Sequence, residues 1–367
     1  MSDVKYLETL LGTMAKIGAS DLHLKAGTQP IFRVGGVPQR IKGDALTPDD
    51  IHNMVWPVMN ERSRKQFDEA GGADFAHFLP DGPRFRVSFF RQRGLPGMVA
   101  RLVNSIVPTA ASLRLPESIN RIADYNEGIV LVVGATGSGK SSTLAALIDQ
   151  INHKERVHIL TIEDPIEFVY QDDKAFVNQR EVGLDVPDFH VGLRQAMRED
   201  PDVILLGEMR DRETVEAALA AAETGHLVFG TLHATNAVQT IARVLDFFEP
   251  SHQPGVRSVL SYVYRAAVAQ RLVPCCKPEI GKRVPVVEIM YVDGVIRKHI
   301  AESEEIKIAQ QIRASSRDGM QDFNMAFYRL VKMGWVTEEV ALSNSSQPEQ
   351  LAMQFKGMVL NQDSQTV

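Results

Sequence analysis

The chain has 367 residues, of which 44% are hydrophobic and 23% are charged. This composition is typical of a folded globular protein with two or three domains, so disorder is not expected. The chain carries 46 Asp and Glu against 40 Lys and Arg, a formal net charge of −6. No excess of positive charge therefore indicates nucleic acid or an anionic membrane as a partner.

Two further features concern the location of the chain. The N-terminus has no basic start followed by an apolar core, and no apolar run approaches the roughly 18 residues of a membrane span. We therefore expect a cytoplasmic protein without direct membrane insertion, which acts at a membrane only through a partner. The two cysteines, Cys275 and Cys276, are too few for a four-ligand zinc site, and we expect them to be structural.

Residues 1–104 are predicted to form a small α+β domain. The stretch VKYLETLLGTMAKIG spaces its apolar residues as a helix, and SDLHLKA alternates as a short strand. The segments IFRV and VPQRI flank Gly35 and Gly36, which predicts a hairpin with a two-residue turn. A second strand pair, RFRVSFFRQR and GMVARLV, is expected to be joined through residues 94–96.

Residues 105–127 contain two prolines in a mostly polar setting and are predicted to be a linker. Over 128–285, strand-like runs alternate with helical ones: GIVLVV, SSTLAALIDQI, VHILTI, HVGLRQAMRE, DVILLG, ETVEAALAAAE and HLVFGTL. This alternation predicts a parallel sheet flanked by helices, an α/β fold. Residues 286–367 are predicted to be helical, with QDFNMAFYRLVKMG and TEEVALS as amphipathic helices and a frayed tail, GMVLNQDSQTV.

The segment GATGSGKS, residues 134–141, follows a buried strand-like run and precedes a helical one, as a phosphate-binding loop does. Its glycines let backbone N–H groups face a β-phosphate, while Lys140 would reach the β- and γ-oxygens and the Ser141 hydroxyl would bind Mg²⁺. We therefore expect ATP and Mg²⁺ as ligands. The predicted nucleotide-binding residues are Gly134, Ala135, Thr136, Gly137, Ser138, Gly139, Lys140, Ser141 and Ser142.

Three later strand-like runs are followed by a side chain that can handle protons or metal ions. Glu163 follows VHILTI, Glu208 follows DVILLG, and His233 follows HLVFGTL. Because ligands bind beyond the carboxyl ends of parallel strands, these three side chains are expected beside the phosphate loop, where together they favour hydrolysis. Glu208 is our predicted general base and Glu163 is predicted to position metal or water, although these roles could be exchanged. Ser141, Glu163 and Glu208 are the candidate metal ligands, and His233 is predicted to sense the γ-phosphate.

Two other groups of side chains each leave two interpretations open. His226 lies an odd number of residues before His233, so the two would face opposite sides of one regular strand. Since His226 follows the helix stop Thr224-Gly225, it is either a nucleotide-binding or a structural residue. The predicted second hairpin carries an arginine cluster, which is either a solvated strand face or a set of arginine fingers for the next subunit. The cluster comprises Arg84, Arg86, Arg91, Arg93 and Arg101.

With GATGSGKS, TIEDPIEFV, REDPDVILLGEMRD and TGHLVFGTLHA, the chain resembles the secretion-type hexameric ATPases, specifically the type IV pilus retraction ATPases of the PilT and PilU group. The likeness extends from SDLHL through RFRVSFF and QREVGLD to GMQDFNMAFYRL. It implies an N-terminal PAS-like α+β domain, then a RecA-like P-loop ATPase domain with a helical C-terminal region. It also implies a homohexamer with nucleotide between subunits, functional boxes at 134–141, 161–169, 202–208 and 224–234, and Arg86 and Arg101 as the arginines acting in trans.

The same resemblance implies a motor at the cytoplasmic face of the inner membrane. It would hydrolyse ATP, act on a membrane platform protein and retract a pilus, alone or beside a second retraction ATPase. One departure is GVIRKHIAE, which keeps Ile296 and Arg297 but loses most of the family's C-terminal signature. This departure puts in doubt the coupling of that segment to retraction.

Two alternative functions stand beside pilus retraction. A pilus-extension or type II secretion ATPase normally has a larger N-terminal region and a four-cysteine zinc site, which this chain does not offer. A nucleic-acid translocase would need a basic channel with stacking aromatic side chains, and the acidic net charge does not support one.

Overall fold

The computed structural model of the protein describes residues 3–80, 82–103 and 106–357. The chain divides into two compact units. The first comprises Met1–Ile106 with Pro165–Val169, and the second comprises Val107–Asp164 with Tyr170–Val367. Within the described residues, no helix combines the length and apolar character needed to cross a membrane.

The first unit is an α+β unit built on one antiparallel sheet. Its helices are α1 (Asp3–Lys16), α2 (Pro48–Val55) and α3 (Glu61–Ala70), with a short 3-10 helix at Trp56–Val58. Its strands are β1 (Asp21–Lys25), β2 (Ile31–Val34), β3 (Val37–Arg40), β4 (Gly72–Phe78), β5 (Arg84–Gln92) and β6 (Leu95–Leu102), in the order β3-β2-β1-β6-β5-β4. The helical spacing of Leu7, Leu11 and Met14 places all three on the buried face of α1, where they join the apolar core of this unit.

Both predicted hairpins are present, with one difference in the second turn. Val34 pairs with Val37 across the Gly35-Gly36 turn, and both glycines have the positive φ that this tight turn requires. In the second hairpin, Gln92 pairs with Leu95, so residues 93 and 94 form the turn and residues 95 and 96 belong to β6. The expected turn at 94–96 is therefore shifted by one residue and shortened to two.

The second unit is a seven-stranded sheet flanked by helices, as the alternating pattern predicted. Its strands are β7 (Gly128–Val133), β8 (His158–Glu163), β9 (Phe176–Glu181), β10 (Val203–Leu206), β11 (Leu227–Leu232), β12 (Tyr264–Pro274) and β13 (Arg283–Tyr291). They are arranged in the order β13-β12-β7-β11-β10-β8-β9. Neighbouring strands pair in parallel from β12 to β9, and β13 pairs antiparallel with β12.

The described residues of the second unit include ten α-helices, which follow or connect these strands. They are α4 (Lys140–Lys154), α5 (Phe189–Ala196), α6 (Arg212–Glu223), α7 (Gln239–Leu245), α8 (Gln253–Val263), α9 (Gly294–Ala301), α10 (Glu305–Ala314), α11 (Phe323–Lys332), α12 (Glu338–Asn344) and α13 (Pro348–Phe355). Short 3-10 helices span Glu117–Asp124 and Ser316–Asp318. The strands β7, β8, β10 and β11 are buried along their whole length, which explains their almost continuous apolar sequences.

The structure places two of the expected segment boundaries differently. The predicted linker at 105–127 contains the 3-10 helix Glu117–Asp124, in which Ile119 and Ile122 are buried, so this part of the linker belongs to the folded second unit. The boundary expected at 285/286 falls inside β13, because the sheet continues to Tyr291 before the C-terminal helices begin. The expected end of the first domain at residue 104, and the tail from residue 358 onward, lie outside the described residues.

Candidate functional site

The predicted phosphate loop connects the end of β7 with the start of α4. Gly134 and Gly139 both have positive φ, and a Cβ at Gly134 would lie 2.4 Å from the carbonyl oxygen of Gln270. A side chain at Gly134 would therefore strain the backbone and clash with β12. The loop ends at Gly139, which makes no side-chain cap to α4, so the first N–H groups of this helix can bind an anion.

The other predicted loop residues lie where a phosphate ligand needs them. Residues 135–137 of the loop are exposed to solvent, whereas Ser138 is buried. Ser141 and Ser142 lie in the first turn of α4, with Ser141 exposed. This glycine cradle followed by an uncapped helix start fits the phosphate groups of a nucleotide.

Lys140 supplies the positive charge of the loop. Its Nζ donates to the carbonyl oxygens of Gly134 at 2.9 Å and Ala135 at 3.2 Å. Partial burial lowers the pKa of the Lys140 ammonium, while the nearby Glu208 carboxylate opposes that shift. Carbonyl oxygens compensate a desolvated cation less well than an anion does, so this position favours a bound phosphate.

The strand order brings the predicted strand-end residues to one edge of the sheet. The strand β11 lies between β7 and β10, and β8 lies on the far side of β10. His233 therefore comes from the strand between the phosphate loop and Glu208, and Glu163 comes from the strand beyond Glu208. The two central side chains are in contact, since His233 Nε2 donates to Glu208 Oε1 at 3.0 Å.

Glu208 also accepts a hydrogen bond from the Arg210 guanidinium, which the sequence did not point to. Arg210 donates to Glu208 Oε2 at 2.6 Å and lies 3.7 Å from the Asp164 carboxylate. The hydrogen bond from Arg210 is the main cause that lowers the pKa of Glu208; partial burial opposes it, and His233 adds to it. Glu208 is therefore an ionised carboxylate that accepts hydrogen bonds on both oxygens.

Glu163 is the last residue of β8 and is only 8% exposed. Its Oε1 accepts from the Thr161 hydroxyl at 2.8 Å and from Gln179 Nε2 at 3.1 Å. In the part of the chain that the structure describes, no group of three or more His, Cys, Asp or Glu side chains is arranged to hold a metal ion. Protein carboxylates alone therefore do not form a closed cation cage here, whereas Mg²⁺ commonly shares phosphate oxygens with one or two protein ligands.

The structure separates His226, a predicted nucleotide-binding residue, from the phosphate loop of its own subunit. His226 precedes β11, and its backbone oxygen accepts from Gly128 at the beginning of β7. It therefore lies at the opposite edge of the sheet from Gly134, about 20 Å away at 3.3 Å per strand residue. The His226 ring bonds the Ala221 carbonyl oxygen and the Thr224 hydroxyl, so it closes the end of α6.

The two arginines expected to act in trans, Arg86 and Arg101, belong to the first unit. They are cross-strand partners on β5 and β6. Arg101 Nε donates to Asp21 Oδ1 at 2.8 Å, yet its side chain remains 67% exposed. Arg86 is also exposed, so both guanidinium groups are accessible on this unit.

Three contacts of the site were missed at the level of sequence: Arg210 on Glu208, Gln179 on Glu163, and Gln270 on the phosphate loop. Gln270 is 4% exposed and lies in the otherwise apolar run AAVAQ of β12. A buried amide in such a run requires hydrogen-bond partners, and this requirement is the signal that could have singled it out. Arg210 and Gln179 lie in polar segments that carry no comparable signal.

A phosphate loop on one strand, with ionised and hydrogen-bonding side chains at the ends of the adjacent parallel strands, defines a P-loop nucleotide hydrolase. The family model described as Type II/IV secretion system protein matches residues 109–340. The chain belongs to this family, and it is an ATPase.

Individual relatives cover almost the whole chain. It is 45% identical over 340 residues to the Type IV pilus retractation ATPase PilT of Pseudomonas aeruginosa, covering 93% of this chain and 98% of that protein. It is 40% identical over 349 residues to the Type IV pilus ATPase PilU of the same organism, covering 95% and 91%. The crystal structure of the pilus retraction motor PilT with bound ADP aligns with a TM-score of 0.87 and 41% identity, covering 94% of this chain and 98% of that chain.

Proposed function

We propose that this protein is a homohexameric motor that uses ATP hydrolysis to retract type IV pili. The observation that carries the proposal is the similarity to PilT over nearly the full length of both chains, in sequence and in fold. The motor would work at the cytoplasmic face of the inner membrane through a platform protein, alone or beside a second retraction ATPase. Within this proposal the first unit is PAS-like and the second is RecA-like, which their sheet topologies support.

In the proposed site, the phosphate loop and the start of α4 bind the β- and γ-phosphates of ATP. Lys140 offsets the negative charge that develops on the phosphate oxygens as the bond to the leaving group breaks. Mg²⁺, when bound, would neutralise phosphate charge further, with the Ser141 hydroxyl as a ligand and Glu163 or Glu208 holding its waters. The exposed position of Ser141 at the helix start supports this assignment.

Glu208 is our proposed general base. Its lowered pKa keeps it ionised near neutral pH, and His233 and Arg210 orient its two oxygens. In this role Glu208 takes a proton from the water that attacks the γ-phosphorus. His233, bonded to Glu208 and carried on the strand next to the loop, would report the presence of the γ-phosphate to that base.

Arg86 and Arg101 are proposed to complete the site of a neighbouring subunit. Their exposure on the first unit supports this role, because an arginine finger must be accessible to a phosphate on another chain. Arg101 is already paired with Asp21, which orients its guanidinium group. In a ring, each site would then depend on two subunits.

The proposal is tested in cells that make type IV pili. Deletion of this protein should abolish or slow pilus retraction, measured as the shortening of labelled pili, and a Lys140→Ala copy should not restore it. The same strains without the second retraction ATPase separate a primary motor from an accessory one. Normal retraction in both deletion backgrounds, together with a loss of pilus assembly or protein secretion, would instead favour the extension or secretion ATPase.

A further inference from the structure

Gln270 is a buried polar side chain that takes no part in the proposed steps of hydrolysis. It lies in β12, which pairs in parallel with the strand that carries the phosphate loop. Gln270 Nε2 donates to the carbonyl oxygen of Ser138 at 2.8 Å, and Gln270 Oε1 accepts from the Thr143 hydroxyl at 2.6 Å. One amide thus joins the loop to the first turn of α4.

The contact with the Ser138 carbonyl bears on the direction of the next backbone N–H group, that of Gly139. In a trans peptide the carbonyl and the following N–H point in opposite directions. When Gln270 binds the Ser138 carbonyl, it turns the Gly139 N–H away from β12, toward the other side of the loop. Carbonyl oxygens repel phosphate and N–H groups attract it, so this orientation favours anion binding.

The hydrogen bond from the Thr143 hydroxyl determines the orientation of the Gln270 side-chain amide. Thr143 is fully buried, so its hydroxyl needs an acceptor, and Gln270 Oε1 provides it. Because the Gln270 side-chain oxygen accepts from Thr143, the Gln270 NH₂ group faces Ser138. A carboxylate or a hydrocarbon at residue 270 cannot make both contacts, because the first lacks the donor and the second lacks both groups.

We propose that Gln270 is a positioning residue that sets the phosphate loop in its nucleotide-binding conformation. It acts through the backbone of Ser138 and Gly139 and touches no reacting atom. The close approach of the loop to Gln270 supports this role, since a Cβ at Gly139 would lie 2.7 Å from Gln270 Nε2. Glycine at residue 139 therefore allows the loop backbone to reach the amide.

The test compares substitutions at this amide with a matched control elsewhere in the second unit. Gln321 is also a buried glutamine, at 2% exposure, and its Nε2 donates to the Val287 carbonyl at 2.8 Å, away from the phosphate loop. Gln270→Leu and Gln321→Leu therefore remove similar buried amides. The measurements are the Kd for Mg·ADP by calorimetry on the full-length protein and its nucleotide-free Tm.

We expect both leucine variants to lower the Tm, but only Gln270→Leu to raise the Kd for Mg·ADP, by about tenfold or more. Gln270→Glu retains the acceptor for Thr143 but places an oxygen against the Ser138 carbonyl, so it should raise the Kd at least as much. Thr143→Val should raise the Kd by a smaller factor, because it removes only the contact that orients the amide.

A purely structural role for Gln270 predicts a different pattern. The two leucine variants would then have similar Tm values and an unchanged Kd, and that result would overturn the proposal. If Gln270→Leu does not fold, Gln270→Glu and Thr143→Val decide the question in the same assay. Binding of Mg·ADP by Gln270→Glu within about twofold of the wild type would also overturn it.

Discussion

Glu288 provides a quantitative test of the electrostatics of the second unit. It lies on β13, is 7% exposed, and accepts a hydrogen bond from the Ala237 N–H at 2.7 Å. Burial raises the pKa of Glu288 from an ordinary value of 4.5 to about 7, and Asp322 adds to this shift. The N–H groups of Ala237 and Phe323 and the Arg271 guanidinium oppose it.

The raised pKa determines the direction in which pH changes stability. Between pH 4.5 and about pH 7 the folded state keeps a proton that the unfolded state has lost. The free energy of unfolding therefore falls as pH rises through this window, by about 1.4 kcal/mol per pH unit for this group. The full loss is about 3 kcal/mol and is complete above the folded pKa.

Glu288→Gln should remove this pH dependence. Glutamine has the shape of the protonated acid and keeps an oxygen for the Ala237 N–H, but it cannot ionise. As the pH rises from about 5 to about 8, the free energy of unfolding of the variant should increase by about 2 to 3 kcal/mol relative to that of the wild type. Urea unfolding without nucleotide measures this difference. Glu339→Gln, at an exposed position of α12, is the control for removing a carboxylate without burial.

Parallel pH profiles of the wild type and Glu288→Gln would refute this reasoning. A variant that is less stable at every pH would show that Glu288 is ionised in the folded protein and stabilised by Arg271. The attraction of Arg271 would then outweigh the effect of burial on Glu288. Removing one partner of a buried ion pair strongly destabilises the folded protein, because the other charge is left without compensation.

Three further predictions concern catalysis. Glu208→Gln should lower ATP turnover by roughly 10²- to 10⁴-fold while ATP still binds, because an amide cannot accept the proton; phosphate release and calorimetry measure the two effects. Normal turnover in Glu208→Gln with lost turnover in Glu163→Gln would assign the base to Glu163. Lys140→Ala should abolish hydrolysis and weaken nucleotide binding, measured by titration with a fluorescent nucleotide, since it removes the cation of the phosphate loop. Mixed rings should recover part of the ATPase activity when subunits with Arg86→Ala or Arg101→Ala are combined with Lys140→Ala subunits. No recovery in such rings would contradict action in trans.

Much of the fold followed from local patterns. The amphipathic spacing of α1, the glycine pair of the first hairpin and the alternation from β7 to β11 each correspond to elements of the structure. The sequence did not predict β9, β12 and β13 as strands. The polar β9 lies at the sheet edge, and β12 follows α8 without an intervening loop, so neither is set apart by the usual turn signals.

The sequence by itself determined the phosphate loop and the residues that follow each strand. Both depend on short-range spacing: the loop needs Gly134, Lys140 and Ser141 at fixed intervals, and a side chain after a parallel strand must lie at the carboxyl edge. Together these local features predict a nucleotide hydrolase.

Only the tertiary structure decided which of these residues meet. The order of the strands, with β11 between β7 and β10, places His233 against Glu208. His226 is at the opposite edge because it precedes β11. The contact of Gln270 with Ser138 joins residues 132 positions apart, and no local pattern encodes a pairing of that range. Long-range contacts depend on how the strands are ordered and which faces are buried, and these are properties of the packed sheet as a whole.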